Sequence, residues 1–221
     1  MNYILVIFFF FISFAAKVED WNLKEIDTAR KASYLSDLEK DVVLELNKVR
    51  TNPKLYAEKY LEPMRKLYNG KFLHYPDEIR LLTKEGISAL DECIKFLENH
   101  KKVQPLNSYY GLFKAAQYHQ KDQSKNGSTG HTSGDGKKLP DRIEMFGHWS
   151  GQIAENIDYG SSDAKKIIVS LLIDDGVPSR GHRKNMMNSF YTAVGVACGP
   201  HEKYKAVCVI DFAQEFKDLV K

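Results

Sequence analysis

The sequence predicts an α+β fold, on three observations. Apolar residues recur at helical spacing in several segments between residues 36 and 125. Two short β-like runs, 192–198 and 205–213, stand near the end of the chain. The two kinds of segment are not interleaved, as a parallel α/β sheet would require. The 221 residues are 43% hydrophobic with a net charge of +3. That is enough apolar material for one core and too weak a field to favour nucleic acid. Composition excludes collagen-like, low-complexity and disordered acidic chains, and three cysteines are too few for a disulfide-stapled mini-protein.

Residues 3–16 carry no charge and are almost wholly apolar, with phenylalanine at 8, 9, 10 and 11. The run is shorter than the roughly 20 residues of a spanning helix, and Ser13 and Ala15 fit a small-residue cleavage site. No lysine or arginine precedes it, so the α-amino group supplies the positive charge. Residues 1–16 are therefore predicted to be a signal peptide. The mature protein is expected to be secreted and extracellular, with no membrane span. Residues 17–35 read as a loosely held polar leader, and 36–217 as a single domain.

Within the domain, Ser36 and Glu39 form a capping box for a helix whose stripe is Leu38, Val42, Leu46 and Val49. Asn52 and Pro53 restart a short helix through Tyr60. Residues 63–82, with two prolines and Asn69-Gly70, read as an irregular excursion. Thr83 caps a helix with stripe Ile87, Leu90, Ile94 and Leu97, and another helix follows over 107–125 around Leu112, Ala115, Ala116 and His119. After a Gly/Ser/Thr-rich stretch at 126–138, residues 149–159 read as strand or turn. Ser161, Ser162 and Asp163 start a helix through 173, and 174–178 form a loop.

The loop 199–204 makes 192–198 and 205–213 a hairpin. If the strands pair about residue 203, Cys198 and Cys208 face each other, and their disulfide would contribute about 2–3 kcal/mol. Cys93 lies on an apolar helical stripe and reads as a buried free thiol. Asn126-Gly127-Ser128 is a glycosylation sequon. Gly134-Asp135-Gly136 lacks the strand and helix of a phosphate loop and reads as a tight turn.

Four stretches place an ionisable group beside glycine or a turn: Gly130-His131-Thr132, Ala154-Glu155-Asn156, Ile173-Asp174-Asp175-Gly176 and Gly181-His182-Arg183. Two imidazoles and two carboxylates are what a divalent transition metal needs, the acids ligating directly or orienting the rings. Each also has a structural reading. A loop histidine at 131 is commonly solvated, and His182 can simply bond a carbonyl. Glu155 can accept backbone N–H groups. Asn156 and Asn185 read as structural, Asp175 as a turn residue, and His119 as a packed or surface residue kept only as a reserve ligand.

These stretches, with Asp141-Arg142-Ile143, Gly181-His182-Arg183-Lys184-Asn185 and Ala193-Val194-Gly195-Val196-Ala197-Cys198, resemble the CAP superfamily of cysteine-rich secretory, antigen 5 and pathogenesis-related proteins. The likeness runs over roughly 38–215 in family order and is nearest the short microbial-type domains. It implies a three-layer α-β-α sandwich with a central antiparallel sheet and a cleft holding His131, Glu155, Asp174 and His182. Aspartate replaces the usual glutamate at 174, with Asp175 as the next candidate. Arg183 and Lys184 replace an aromatic, and residues 62–102 exceed the compact forms.

The resemblance implies a non-enzymatic binding module that holds zinc or magnesium and a sterol or fatty acid, or meets a cell-surface partner. The alternative is a metal-dependent hydrolase or peptidase with Glu155 as general base. A third reading is a bare interaction domain in which the four residues only brace the cleft.

Overall fold

The computed structural model describes residues 20–219, so the predicted signal peptide lies outside the described residues. The capping box at Ser36 forms as expected and opens α2, Asp37–Thr51. Residues before it are not the loose leader expected. A short helix α1, Leu23–Ile26, and the turns after it dock on α2. The Trp21 indole donates to Lys48 O (2.8 Å), the Asn47 amide donates to Ile26 O (2.9 Å), and Ile26, Ala29 and Leu35 are buried. Apolar burial outweighs the polar composition that made the segment look detached.

Asn52 caps α3, Pro53–Tyr56, which continues as a π turn through Leu61. The 63–82 excursion begins with a 3₁₀ turn and then folds into a miniature antiparallel sheet of β1 (Tyr68–Asn69), β2 (Phe72–Leu73) and β3 (Leu81–Leu82). We refer to it as the flap. Thr83 Oγ1 accepts the Gly86 amide just before α4, Ile87–Asn99. The remaining helices are α5 (Tyr110–Asn126), α6 (Leu139–Glu144), α7 (Ala164–Ile173) and α8 (Gly181–Met187). The expected start of α7 is confirmed by the Asp163 side chain, which accepts the Lys166 amide at 2.8 Å.

The main sheet has the order β4 (Asn107–Ser108), β6 (Ala193–His201), β7 (Lys205–Asp218), β5 (Gly147–Tyr159). Pairs β6–β7 and β7–β5 are antiparallel, and only the two-residue edge strand β4 runs parallel to β6. Strand β7 continues past residue 213, the end of the run read from the sequence, because its polar residues alternate with buried Phe216 while it pairs with β5 as far as Gly147↔Asp218. Cys198 and Cys208 are direct partners in the hairpin and form the disulfide. Cys93 is a free buried thiol, its pKa pushed up to about 12 by desolvation.

Directly paired residues share a sheet face. Glu155, Asp211 and Gly195 form one row across β5, β7 and β6. Gly195 sets α5 against this face: a Cβ there would lie 2.1 Å from the Leu112 carbonyl carbon. Asn156, Ile210 and Val196 form the next row, on the opposite face, where α2, α7 and α8 pack. Helices thus cover both faces, giving the α-β-α layering. Strand β5 is the sheet edge where the two faces meet solvent, and the functional side chains collect there.

Candidate functional site

The loop that carries His131 is fixed by buried polar groups, while the His131 ring itself reaches solvent. The neutral, fully buried His119 donates from Nε2 to Gly130 O (2.8 Å) and accepts the Ser133 hydroxyl at Nδ1 (2.9 Å). The Gln123 amide donates to Gly130 O, and the Gly130 amide donates to the Tyr159 hydroxyl (3.0 Å). Desolvation lowers the His119 pKa, which keeps it uncharged in this role. Both its nitrogens are engaged, so His119 is not a reserve ligand. Residues 133–136 close the tight turn expected there, the Gly136 amide reaching Ser133 O at 2.8 Å.

On this scaffold His131 Nδ1 donates to Glu155 Oε1 at 2.9 Å. An ionised carboxylate only accepts, so Nδ1 carries the proton and Nε2 is left open. The His131 side chain is 59% exposed and that of Glu155 only 2%. Behind Glu155 lies Arg142, fully buried, with Nη2 at 2.5 Å from Glu155 Oε2 and Nη1 donating to His131 O (3.0 Å) and Lys137 O (3.1 Å). Burial pushes the Glu155 pKa up, but the His131 hydrogen bond and the Arg142 charge outweigh it and hold the carboxyl below its usual range. The same hydrogen bond raises His131.

Directly across the ladder, Asp211 is fully buried and neither of its oxygens accepts a hydrogen bond. Burial, reinforced by the Glu155 charge and by a side-chain hydrogen bond to Glu155, raises its pKa well above the carboxylate range and favours the protonated form.

The second pair forms on the other face. Asp174 ends α7 in the left-handed region (φ 55°). Its carboxylate accepts His182 Nδ1 (2.6 Å) and the His182 amide (3.0 Å). Arg183, nearly fully buried, donates to Leu172 O (2.5 Å) and Ile173 O (3.0 Å), closing the open carbonyls at the α7 terminus. That is the work done where the family pattern has an aromatic. Asn156 donates to His182 O (3.0 Å) and accepts from Asn185 (2.9 Å), bracing α8. Asp175 accepts the Lys84 and Glu85 amides (2.6 and 2.8 Å), so Asp174, not Asp175, is the acid beside His182.

The four predicted residues assemble as two hydrogen-bonded pairs, His131–Glu155 and His182–Asp174. Glu155 and Asn156 are consecutive on a strand and point to opposite faces. His131 and Glu155 line a cavity of about 380 Å³ with Leu139, Ala154 and Asn185. His182 and Asp174 line another of about 760 Å³ beneath the flap. Among the described residues no group of three or more His, Cys, Asp or Glu side chains is placed to hold a metal ion. No step is derived through a metal.

The larger cavity lies between flap residues Leu73, Leu81 and Leu82 and a wall of Val169, Ile173 and Asp158. The flap leaves Ile79 and Leu82 87% and 70% exposed beside it. Arg142, Asp158 and Asp211 were not identified as functional by sequence reasoning. For the two aspartates, an acid within the apolar strand runs 153–159 and 207–213 was the available signal.

Asn126, the sequon asparagine, is exposed as the last residue of α5. No helix among the described residues is long and apolar enough to cross a membrane. A family model described as "Cysteine-rich secretory protein family" (CAP) matches residues 45–212. No curated protein matches the chain. Among solved structures, an extracellular SCP-domain protein of Bacillus anthracis aligns at 25% identity and a TM-score of 0.41. The match covers 57% of this chain, which spans 38% of the length of that protein. An outer surface protein of Borrelia burgdorferi aligns at 18% identity and a TM-score of 0.40, over 57% of this chain and 86% of its own. The match of the family model over most of the sequence, in a fold carrying both histidine motifs, shows that this chain belongs to the CAP family of cysteine-rich secretory proteins.

Proposed function

We propose that this chain is an exported binding module that encloses an apolar small molecule, of the sterol or fatty-acid class, beneath its flap. The observation that carries the reading is the cavity of about 760 Å³ between the flap and α7. Its volume is in the range of small-molecule sites, about 300–1,000 Å³. Its walls combine apolar residues of the flap and α7 with polar and charged ones, the His182–Asp174 pair among them. The exposed apolar flap residues beside it favour transfer of a ligand from another apolar surface. Export is supported by the apolar, uncharged residues 3–16 and by the Cys198–Cys208 disulfide.

Labelled cholesterol and palmitate offered to the purified protein test this. Saturable binding of either ligand is expected. Val169→Trp, which fills the cavity, should abolish it, and Leu82→Asn, at an exposed position that does not burden folding, should weaken it. Absence of saturable binding to both ligands contradicts the reading.

A further inference from the structure

We propose that the cavity beneath the flap selects an organic ammonium ion on an apolar body, with the cationic head against Asp158 and the body against Leu73 and Val169. This rests on the cavity being the binding compartment proposed above, and it ranks a cationic head group above the hydroxyl of a sterol and the carboxylate of a fatty acid.

Five carboxylates line the cavity, those of Glu78, Asp158, Asp163, Asp174 and Asp175, against one lysine, Lys166. Four of them already have partners. Asp174 accepts from His182 and Asp175 from the Lys84 and Glu85 amides. Asp163 accepts the Lys166 amide, and Glu78 the Lys166 ammonium group. Asp158 differs. It is 5% exposed, and although the Ser170 side chain and the Ser161 backbone hydrogen-bond to its carboxyl, its Oδ2 is left without a partner among the described residues.

A buried acceptor left unmatched costs about 1–3 kcal/mol. Such a group in a native structure calls for a missing donor. A cation supplies both the donor and the opposite charge. An added carboxylate would instead be a sixth acid in the cavity and would meet like-charge repulsion. Tyr68 also lines the cavity and offers a ring to a cation. The burial that raises Asp158 to about 7 is the penalty that an ammonium partner would remove.

Three probes of equal chain length separate the head groups: dodecylammonium, dodecanol and dodecanoate, titrated calorimetrically below their aggregation limits. The wild-type protein is expected to bind the ammonium at least about ten-fold tighter than the alcohol, a difference of about 1.4 kcal/mol, with the carboxylate weakest. Asp158→Asn, which is isosteric, should remove the preference for ammonium over alcohol. Glu78→Gln, which removes a partnered acid of the same cavity, should retain the preference.

Equal binding of ammonium and alcohol by the wild-type protein overturns the inference without reference to any variant. So does a preference that survives Asp158→Asn, or one lost equally in Glu78→Gln, which would mark general surface charge. If dodecanol binds and the ammonium has no advantage, the binding compartment stands and the ammonium assignment falls. If none of the three binds, both fall.

Discussion

Replacing Asp211 with asparagine should stabilise the protein at neutral pH, although it alters a fully buried core residue. In the fold this carboxyl faces Glu155 across the ladder, accepts no hydrogen bond, and has its pKa raised by burial and by the Glu155 carboxylate. The unfolded chain ionises it near its ordinary value of 3.8. Above that pH the folded state binds one proton more than the unfolded state, so stability falls as pH rises until the folded-state pKa is passed. Each pH unit in that interval costs about 1.4 kcal/mol.

Asparagine is the same shape, cannot ionise and can donate to Glu155. Its advantage should be absent below pH 3.8 and grow as pH rises above it, until the folded-state value is passed. For a domain of this size each kcal/mol corresponds to roughly 2–4 °C in Tm. Thermal melts of wild type and Asp211→Asn across a pH series give the comparison. A variant no more stable than wild type near pH 6, or an advantage that does not shrink on acidification, refutes the protonated Asp211.

Arg142→Met leaves Glu155 and Asp211 facing each other without their cation and frees the carbonyls of His131 and Lys137. It should cost about 3–5 kcal/mol in chemical denaturation, and a change under 1 kcal/mol would contradict the buried ion pair. The His131–Glu155 pair has a defined pH window. Raised His131 contributes below its ordinary 6.5 and loses that contribution as pH rises through its folded value, whereas lowered Glu155 contributes above its ordinary 4.5 and loses it on acidification. The Tm penalty of His131→Ala should therefore be largest between those two values. Cys198→Ala/Cys208→Ala should lose about 2–3 kcal/mol, measured against wild type in the absence of reductant. Gly195→Ala, whose Cβ would meet the α5 backbone at 2.1 Å, should give little folded protein, read by circular dichroism of the purified chain.

The elements legible in the sequence were those with a local chemical signal. Ser36 with Glu39, Asp163 before an apolar run, and two cysteines symmetric about residue 203 each specify geometry within a few residues, and the structure follows them. The flap escaped because strands of two residues carry no periodicity. Helix α8 escaped for a similar reason: it is seven residues long and follows Arg180 in the left-handed region rather than a capping side chain. The site was half legible. Its histidines and acids were found by motif, and Asp174 proved to be the acid at His182. Their division into two pairs depends on which face of β5 each residue takes, and motif order along the chain holds no information about that. Arg142 stood in a motif without a role because its partners, His131 O, Lys137 O and Glu155, come together only in the fold.

Methyl resonances of the isotopically labelled protein, followed during titration with a bound apolar ligand, report directly on the compartment. The account predicts shifts at Leu73, Val169 and Ile173, which line the cavity beneath the flap, with Leu139 beside His131 unmoved. Shifts centred on Leu139 and Ala154, with the flap silent, would place the ligand in the smaller cavity and contradict it.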